Sequence, residues 1–206
     1  MLLVVLSLSA VSLEAQSLTV GGAIQQNMQR FDEDLSPNRL DGNSFGGMLM
    51  GGARLGPLVV RGEASRDWGI RDVQSTTLTL NGRATTIHSE LTHDMREVAA
   101  LAGLAGNLGR VEMSVLGGVS SVWVHRSFST DAGQFVLIPP STVPIAPTTT
   151  TLVDRFATWT AEVDVAVYVT PRLGVIGGVR GQPILLSEDL SGRNVRPFAG
   201  AVWRFK

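Results

Sequence analysis

A histidine and a serine stand one residue apart in this 206-residue sequence, and such a pair can in principle attack an ester. His125 could activate the hydroxyl of Ser127 as a general base. That chemistry also needs an acid to orient the imidazole, and no Asp or Glu stands at the expected short distance downstream. The pattern therefore favours an interfacial histidine beside a loop-edge serine over a catalytic pair.

A second candidate is a pair of carboxylates, because two acids in a cleft can act as general acid and base. Glu162 and Asp164 are separated by a single residue, which places both on one face of a strand. Buried carboxylates are more often neutralised by arginines than used in catalysis. The interpretation that we favour is a cluster neutralised by the basic residues Arg61, Arg180 and Arg204.

The sequence predicts no metal site, no cofactor and no nucleic-acid partner. His88 and His93 would point to opposite faces of a strand. The chain has no cysteine, and its net charge of −1 gives no electrostatic basis for binding nucleic acid. Charged residues make up 17% of the chain, below the roughly 25% of soluble domains.

The elements that position these residues are β-strands, and the segment 156–170 shows this best. Its odd positions from Ala157 to Val169 are all apolar, while Glu162 and Asp164 occur among its even positions. Such alternation over more than ten residues predicts a strand with one wholly apolar face. Weaker alternation recurs in seven further segments, which begin near residues 18, 45, 58, 96, 111, 173 and 196.

Short and long connections alternate between these eight predicted strands. Gly, Pro and Asn mark tight turns at 56–57, 107–109 and 170–172. Longer links are expected at 31–43, 69–95, 127–153 and 187–195. This alternation is typical of an up-and-down membrane barrel, with short periplasmic turns and long extracellular loops.

Two of the long links carry more detail. Asn81-Gly82 between two Thr-rich runs predicts a hairpin turn. Extending its register pairs Trp68 with Met95, Arg66 with Glu97 and Gly56 with Asn107, which predicts one long projecting hairpin. The link 127–153 contains four prolines and is expected not to form regular strand.

The chain begins with an apolar segment that predicts export. Residues 1–15 are typical of a signal peptide, although this segment contains no Lys or Arg. Residues 16–206 would then form one barrel domain.

A membrane barrel requires the apolar faces to point outward, whereas a soluble lipocalin-like carrier would point them inward. We favour the membrane arrangement because of the signal peptide, the loop alternation and the strand length, which matches the ~9–11 residues that a bilayer requires. The aromatic residues then form two interfacial girdles: Phe45, Trp68, Trp123 and Trp159 near the long loops, and Trp203 and Phe205 at the opposite rim.

With that inversion, the charged residues of both signs must fill the lumen. A barrel of eight strands has room only for its own side chains, so these charges are expected to pair into a closed plug. The predicted network consists of Arg54, Arg61, Glu63, Asp67, Glu112, Glu162, Asp164, Arg180 and Arg204.

The chain resembles the small OmpA/OmpX-type outer-membrane barrels in three features. These are its signal peptide, its eight strands with three tight turns and four long loops, and its aromatic final strand. It departs from them in ending on Lys206, with the aromatic residue penultimate. The resemblance implies an eight-stranded antiparallel up-and-down barrel in the outer membrane of a Gram-negative bacterium. His125-Arg126-Ser127 weakly resembles the motif of lipid A deacylases, but Phe128 replaces that family's asparagine.

The function expected from these features is non-enzymatic. The barrel would be a monomer among outer-membrane lipid and lipopolysaccharide, acting in envelope structure or in adhesion, with a surface ligand or host molecule bound at its loops. The alternatives are a narrow solute channel, a deacylase-like esterase and a soluble lipid carrier.

Overall fold

The computed structural model describes residues 16–31, 42–80, 83–131, 133–138, 141–187 and 190–205. The proposed signal peptide at residues 1–15 and the turn residues Asn81 and Gly82 lie outside the described residues. No helix in the described residues is long and apolar enough to cross a membrane.

The described residues form eleven β-strands. In chain order they are β1 (Gln16–Phe31), β2 (Gly42–Leu55), β3 (Leu58–Asp67), β4 (Ile70–Leu80), β5 (Arg83–Leu108), β6 (Val111–Thr130), β7 (Gly133–Ile138), β8 (Ser141–Ile145), β9 (Thr148–Tyr168), β10 (Leu173–Ser187) and β11 (Leu190–Phe205).

Eight of these strands close into an antiparallel ring, which confirms the predicted fold class. The order around the ring is β1, β2, β3, β5, β6, β9, β10 and β11, and β11 pairs back onto β1. The paired residues, followed once around the ring, lead from Met28 to Leu18, a stagger of ten residues. Strands staggered in this way tilt by roughly 35–45° and enclose a narrow cylinder.

The apolar faces point outward, so the barrel is inverted relative to a soluble one. On β9, the odd-numbered Trp159 and Val163 are 61% and 51% exposed. The even-numbered Glu162 and Asp164 of the same strand are 1% and 2% exposed. A continuous apolar exterior of this kind is stable only in a bilayer. The chain is therefore not a soluble carrier with an apolar interior.

The projecting hairpin exists, but its predicted register is wrong by one residue near the membrane. Leu80 pairs with Arg83 and Ile70 with His93 as extended from the turn, whereas Arg66 pairs with Arg96. The offset arises at Trp68-Gly69, where Gly69 adopts a φ of 77° that favours glycine. The extra residue shifts the pairing of β3 with β5 by one position. Because side chains alternate between the two faces of a strand, each side chain of β5 then lies on the face opposite to that of its predicted partner in β3.

The link 127–153 also differs from the prediction, because most of it is regular strand. β6 continues to Thr130, β9 begins at Thr148, and β7 and β8 form a separate hairpin between them. The residues Thr148–Thr151 pair with the end of β6, since β-branched side chains suit an extended backbone. Pro139 and Pro140 lie outside the described residues, while Pro144 falls within β8.

Candidate functional site

The lumen is the candidate site, because the inward faces of the strands bring charged residues from the whole chain together. At the turn end of the barrel, Arg54 Nη1 lies 2.6 Å from Glu112 Oε2. Arg204 forms an ion pair with the same carboxylate, and its guanidinium stacks 3.7 Å from the centre of the Tyr168 ring. Two arginines thus share one glutamate close to the periplasmic rim.

The largest ionic group lies near the middle of the barrel. Arg61 Nη1 donates hydrogen bonds to Glu162 Oε1 at 2.7 Å and to Asp164 Oδ2 at 2.8 Å. Arg180, only 1% exposed, donates to Glu162 Oε2 from Nε at 2.9 Å and from Nη2 at 2.7 Å. It also forms an ion pair with Glu63 and lies 3.6 Å from Glu97. A carboxylate pair held by two arginines in this way is already neutralised.

Two members of this group were missed by the sequence analysis. Glu97 forms an ion pair with Arg196, and both side chains are buried. Arg196 Nη1 also donates to Ser65 Oγ at 3.3 Å. Glu97 was predicted to pair with Arg66, but the one-residue offset at Gly69 pairs Arg66 with Arg96 and Ser65 with Glu97, whose side chain faces the lumen. Arg196 lies well inside β11, which begins six residues before the predicted strand.

The predicted partners of two residues need correction. Arg204 does not neutralise Glu162 and Asp164, because it lies at the periplasmic end and pairs with Glu112. Asp67 accepts hydrogen bonds from two amides instead of from an arginine: Gln25 Nε2 at 2.9 Å and Asn27 Nδ2 at 2.6 Å. The structure otherwise places all nine residues of the predicted network on the inward face.

Apolar side chains separate the two ionic groups and leave little free space. They include Met50, Ile176 and Val202 on one side and Leu101 and Leu116 on the other. The cavity between the groups has a volume of about 30 Å³, room for on the order of two water molecules. The described side chains therefore leave little space for a solute at this level of the lumen.

The predicted girdle residues lie on the outward face at the two ends of the apolar band. Phe45, Trp68 and Trp159 are exposed near the long loops, and Trp203 and Phe205 are exposed near the turns. Trp123 is partly covered, because the guanidinium of Arg155 stacks 5.1 Å from its ring centre. Aromatic and basic side chains at this height suit the polar boundary of a bilayer.

His125 and Ser127 also lie on the outward face of β6, beyond Trp123. Asp94 of β5 is directly opposite His125, a proximity that the sequence did not predict. However, neither Nδ1 of His125 nor Oδ1 of Asp94 has a hydrogen-bond partner among the described residues. The three side chains therefore do not form the hydrogen-bonded relay that a serine nucleophile requires.

The two other histidines lie in the hairpin beyond the girdle. His88 is exposed, and its Nδ1 lies 2.7 Å from Ser75 Oγ. His93 is buried; this burial lowers the pKa of its imidazole to about 4, and nearby Arg126 acts in the same direction. In the described part of the chain, no three histidine or acidic side chains are grouped closely enough to hold a metal ion.

These observations define the chain as a transmembrane β-barrel with an ionic lumen. Comparison with solved structures identifies the fold more narrowly as that of the small outer-membrane barrels. The outer membrane protein OprG of Pseudomonas aeruginosa matches with a TM-score of 0.51 and 8% identity, over 93% of this chain and 96% of that one. A major outer membrane protein of Thermus thermophilus matches with a TM-score of 0.50 and 13% identity, over 93% and 100%. No protein-family model and no curated protein matches the sequence.

Proposed function

We propose that this chain is a non-enzymatic barrel of the bacterial outer membrane that makes contacts at the cell surface. The observation that carries the proposal is the sheet of β4, β5, β6 and β9, whose outer parts continue beyond the girdle. Within the described residues β4 pairs only with β5, so no described strand occupies its other edge. A free edge strand offers backbone donors and acceptors to an extended segment of a partner.

Side-chain pairs across the hairpin support its role as a preformed platform. Arg71 forms an ion pair with Glu90, and Thr77 Oγ1 lies 3.0 Å from Thr86 Oγ1. Such cross-strand pairs stabilise the pairing of two strands. A platform that is already ordered loses less entropy on binding than a disordered loop would.

Export by the segment 1–15, a monomeric state and contact with lipopolysaccharide belong to the same proposal. Exposed Arg66 and Arg96 lie opposite each other on the outward face, at the height of the upper girdle. Paired guanidinium groups at this height would suit the phosphates of a lipid headgroup.

Removal of the hairpin tests the proposed surface role. We expect that replacing residues 74–89 with Asn-Gly abolishes adhesion of expressing bacteria to immobilised extracellular-matrix proteins and to one another. The barrel should still fold, because the pairing of β3 with β5 ends below the deletion, at Arg66–Arg96. The measurements are the number of adherent cells and the gel shift on boiling that reports a folded barrel.

The matched control for this experiment removes the other projecting hairpin, by replacing residues 133–145 with Gly-Ser. This control should retain adhesion, because it leaves that edge of β4 intact. Equal adhesion of the full chain and the variant without residues 74–89 would contradict the proposed role.

Closure of the lumen gives a separate prediction about conductance. The ion pairs of Arg61 and Arg180 block the barrel, so the purified folded protein should show no stable unit conductance in a planar bilayer. A general porin in the same bilayer serves as the positive control. Reproducible conductance steps would instead favour the solute channel.

A further inference from the structure

The wall of the barrel has a seam between β9 and β10. These strands pair only from Tyr168–Gly174 to Ala161–Gly181, although both continue further toward the loops. The same register would next bring Gln182 opposite Thr160 and then Pro183 opposite Trp159. The carbonyl oxygen of Pro183 faces β9, since it accepts a hydrogen bond from Thr158 Oγ1 at 3.0 Å. The proline nitrogen faces the same way but has no hydrogen to donate, so the ladder ends there.

A groove of about 400 Å³ lies at this seam, on the lipid-facing wall. Its sides are the outward side chains of Trp159, Val163 and Val179. Between these side chains the wall carries only the small residues Ala161 and Gly181, which leave the space open. A Cβ added to Gly181 would meet no atom within 4 Å. The volume lies in the usual range of small-molecule sites, ~300–1,000 Å³.

A basic side chain stands at the loop end of this apolar groove. Arg193 of β11 is exposed on the outward face, and it pairs with Pro183 in the ladder of β10 with β11. Pro183, in turn, is the residue that the register of the seam would bring opposite Trp159. The groove therefore has an apolar length and a positive charge at one end.

We propose that this groove binds a fatty-acid-like amphipath with a single acyl chain, taken from the outer leaflet. The chain would lie along Trp159, Val163 and Val179, because their surface is apolar and opens directly to lipid. The carboxylate would lie at the loop end of the groove, where the outward guanidinium of Arg193 supplies the opposite charge and hydrogen-bond donors. The ligand would not cross the barrel, because the ion pairs of Arg180 close the lumen below the seam.

The experiment uses the full folded chain in phosphatidylcholine nanodiscs with a palmitic acid that carries a mid-chain diazirine. After irradiation, mass spectrometry locates the labelled residues. We expect labelling concentrated at residues 159–163 and 179–183 and suppressed by an excess of unlabelled palmitate. Uniform labelling around the exterior that palmitate does not suppress would overturn the proposal.

Three variants make the test specific. Gly181→Phe fills the groove and Pro183→Val restores a backbone donor, so both should abolish the suppressible labelling. Arg193→Leu should weaken competition by palmitate about fivefold, the effect of one lost hydrogen bond. The matched control is Gly47→Phe on β2, another position where an added Cβ meets no atom within 4 Å.

Gly47→Phe should label like the unchanged protein, and all four variants should keep the gel shift on boiling. If Gly181→Phe and Gly47→Phe label equally, the groove is not a binding site. This result would leave the proposed adhesion role intact, because that role depends on β4 and not on the seam.

Discussion

Replacing Arg180 with leucine should lower the free energy of unfolding by about 3–5 kcal/mol, the cost of removing one partner of a buried ion pair. Arg180 donates two hydrogen bonds to Glu162 and forms an ion pair with Glu63. Without its guanidinium these carboxylates remain buried with reduced compensation. Urea unfolding of the barrel in lipid vesicles measures the change.

The matched control for Arg180 is Arg66→Leu. The side chain of Arg66 is 61% exposed, and its contact with Asp94 is 3.6 Å long, so its loss should cost no more than ~1 kcal/mol. The double variant R180L/E162L should be less destabilised than the sum of its single changes, because it also removes one of the stranded carboxylates. Equal effects of Arg180→Leu and Arg66→Leu would show that the lumen ion pairs do not contribute to stability.

A second large effect is expected at a glycine in the barrel wall. A Cβ at Gly103 would collide with the carbonyl oxygen of Val115 and lie 2.9 Å from the Cα of Leu116 on the neighbouring strand. Because backbone atoms cannot move without breaking the pairing of β5 with β6, Gly103→Val should cost about 3 kcal/mol or prevent folding. The measurement is the fraction of protein that shifts on boiling after refolding.

Gly106 provides the control on the same strand. It is exposed, and a Cβ added there meets no atom within 4 Å, so Gly106→Val should fold as well as the unchanged chain. If Gly103→Val folded with the same yield, β5 and β6 could not be as close as the structure places them.

Much of the fold could be predicted from local patterns. Strict alternation in 156–170 specifies a strand and its two faces, because successive side chains of a strand point to opposite sides. The turns at 56–57, 107–109 and 170–172 follow from residue chemistry that acts over a few residues. The eight-stranded ring and the inward position of Glu162 therefore needed no tertiary information.

The projecting segments were predicted less well, because loop composition is a weaker guide than alternation. Threonines 148–151 were assigned to an irregular link, but pairing with the end of β6 makes them strand. Their β-branched side chains favour an extended backbone, and the neighbouring strand supplies the hydrogen-bond partners that the sequence alone does not show.

The sequence by itself determined the class of the protein: an inverted barrel whose outward faces are apolar and whose charges are enclosed. Only the tertiary structure decided which charges meet. The extra residue at Gly69 shifts the register by one position, so Glu97 does not pair with Arg66 as the turn register predicts. It pairs with Ser65 and forms an ion pair with Arg196 in the lumen. The alternation within a strand shows which side chains share a face, but not how that strand is aligned with a distant one. The ion pairs and the seam at Pro183 could therefore be found only from the closed ring.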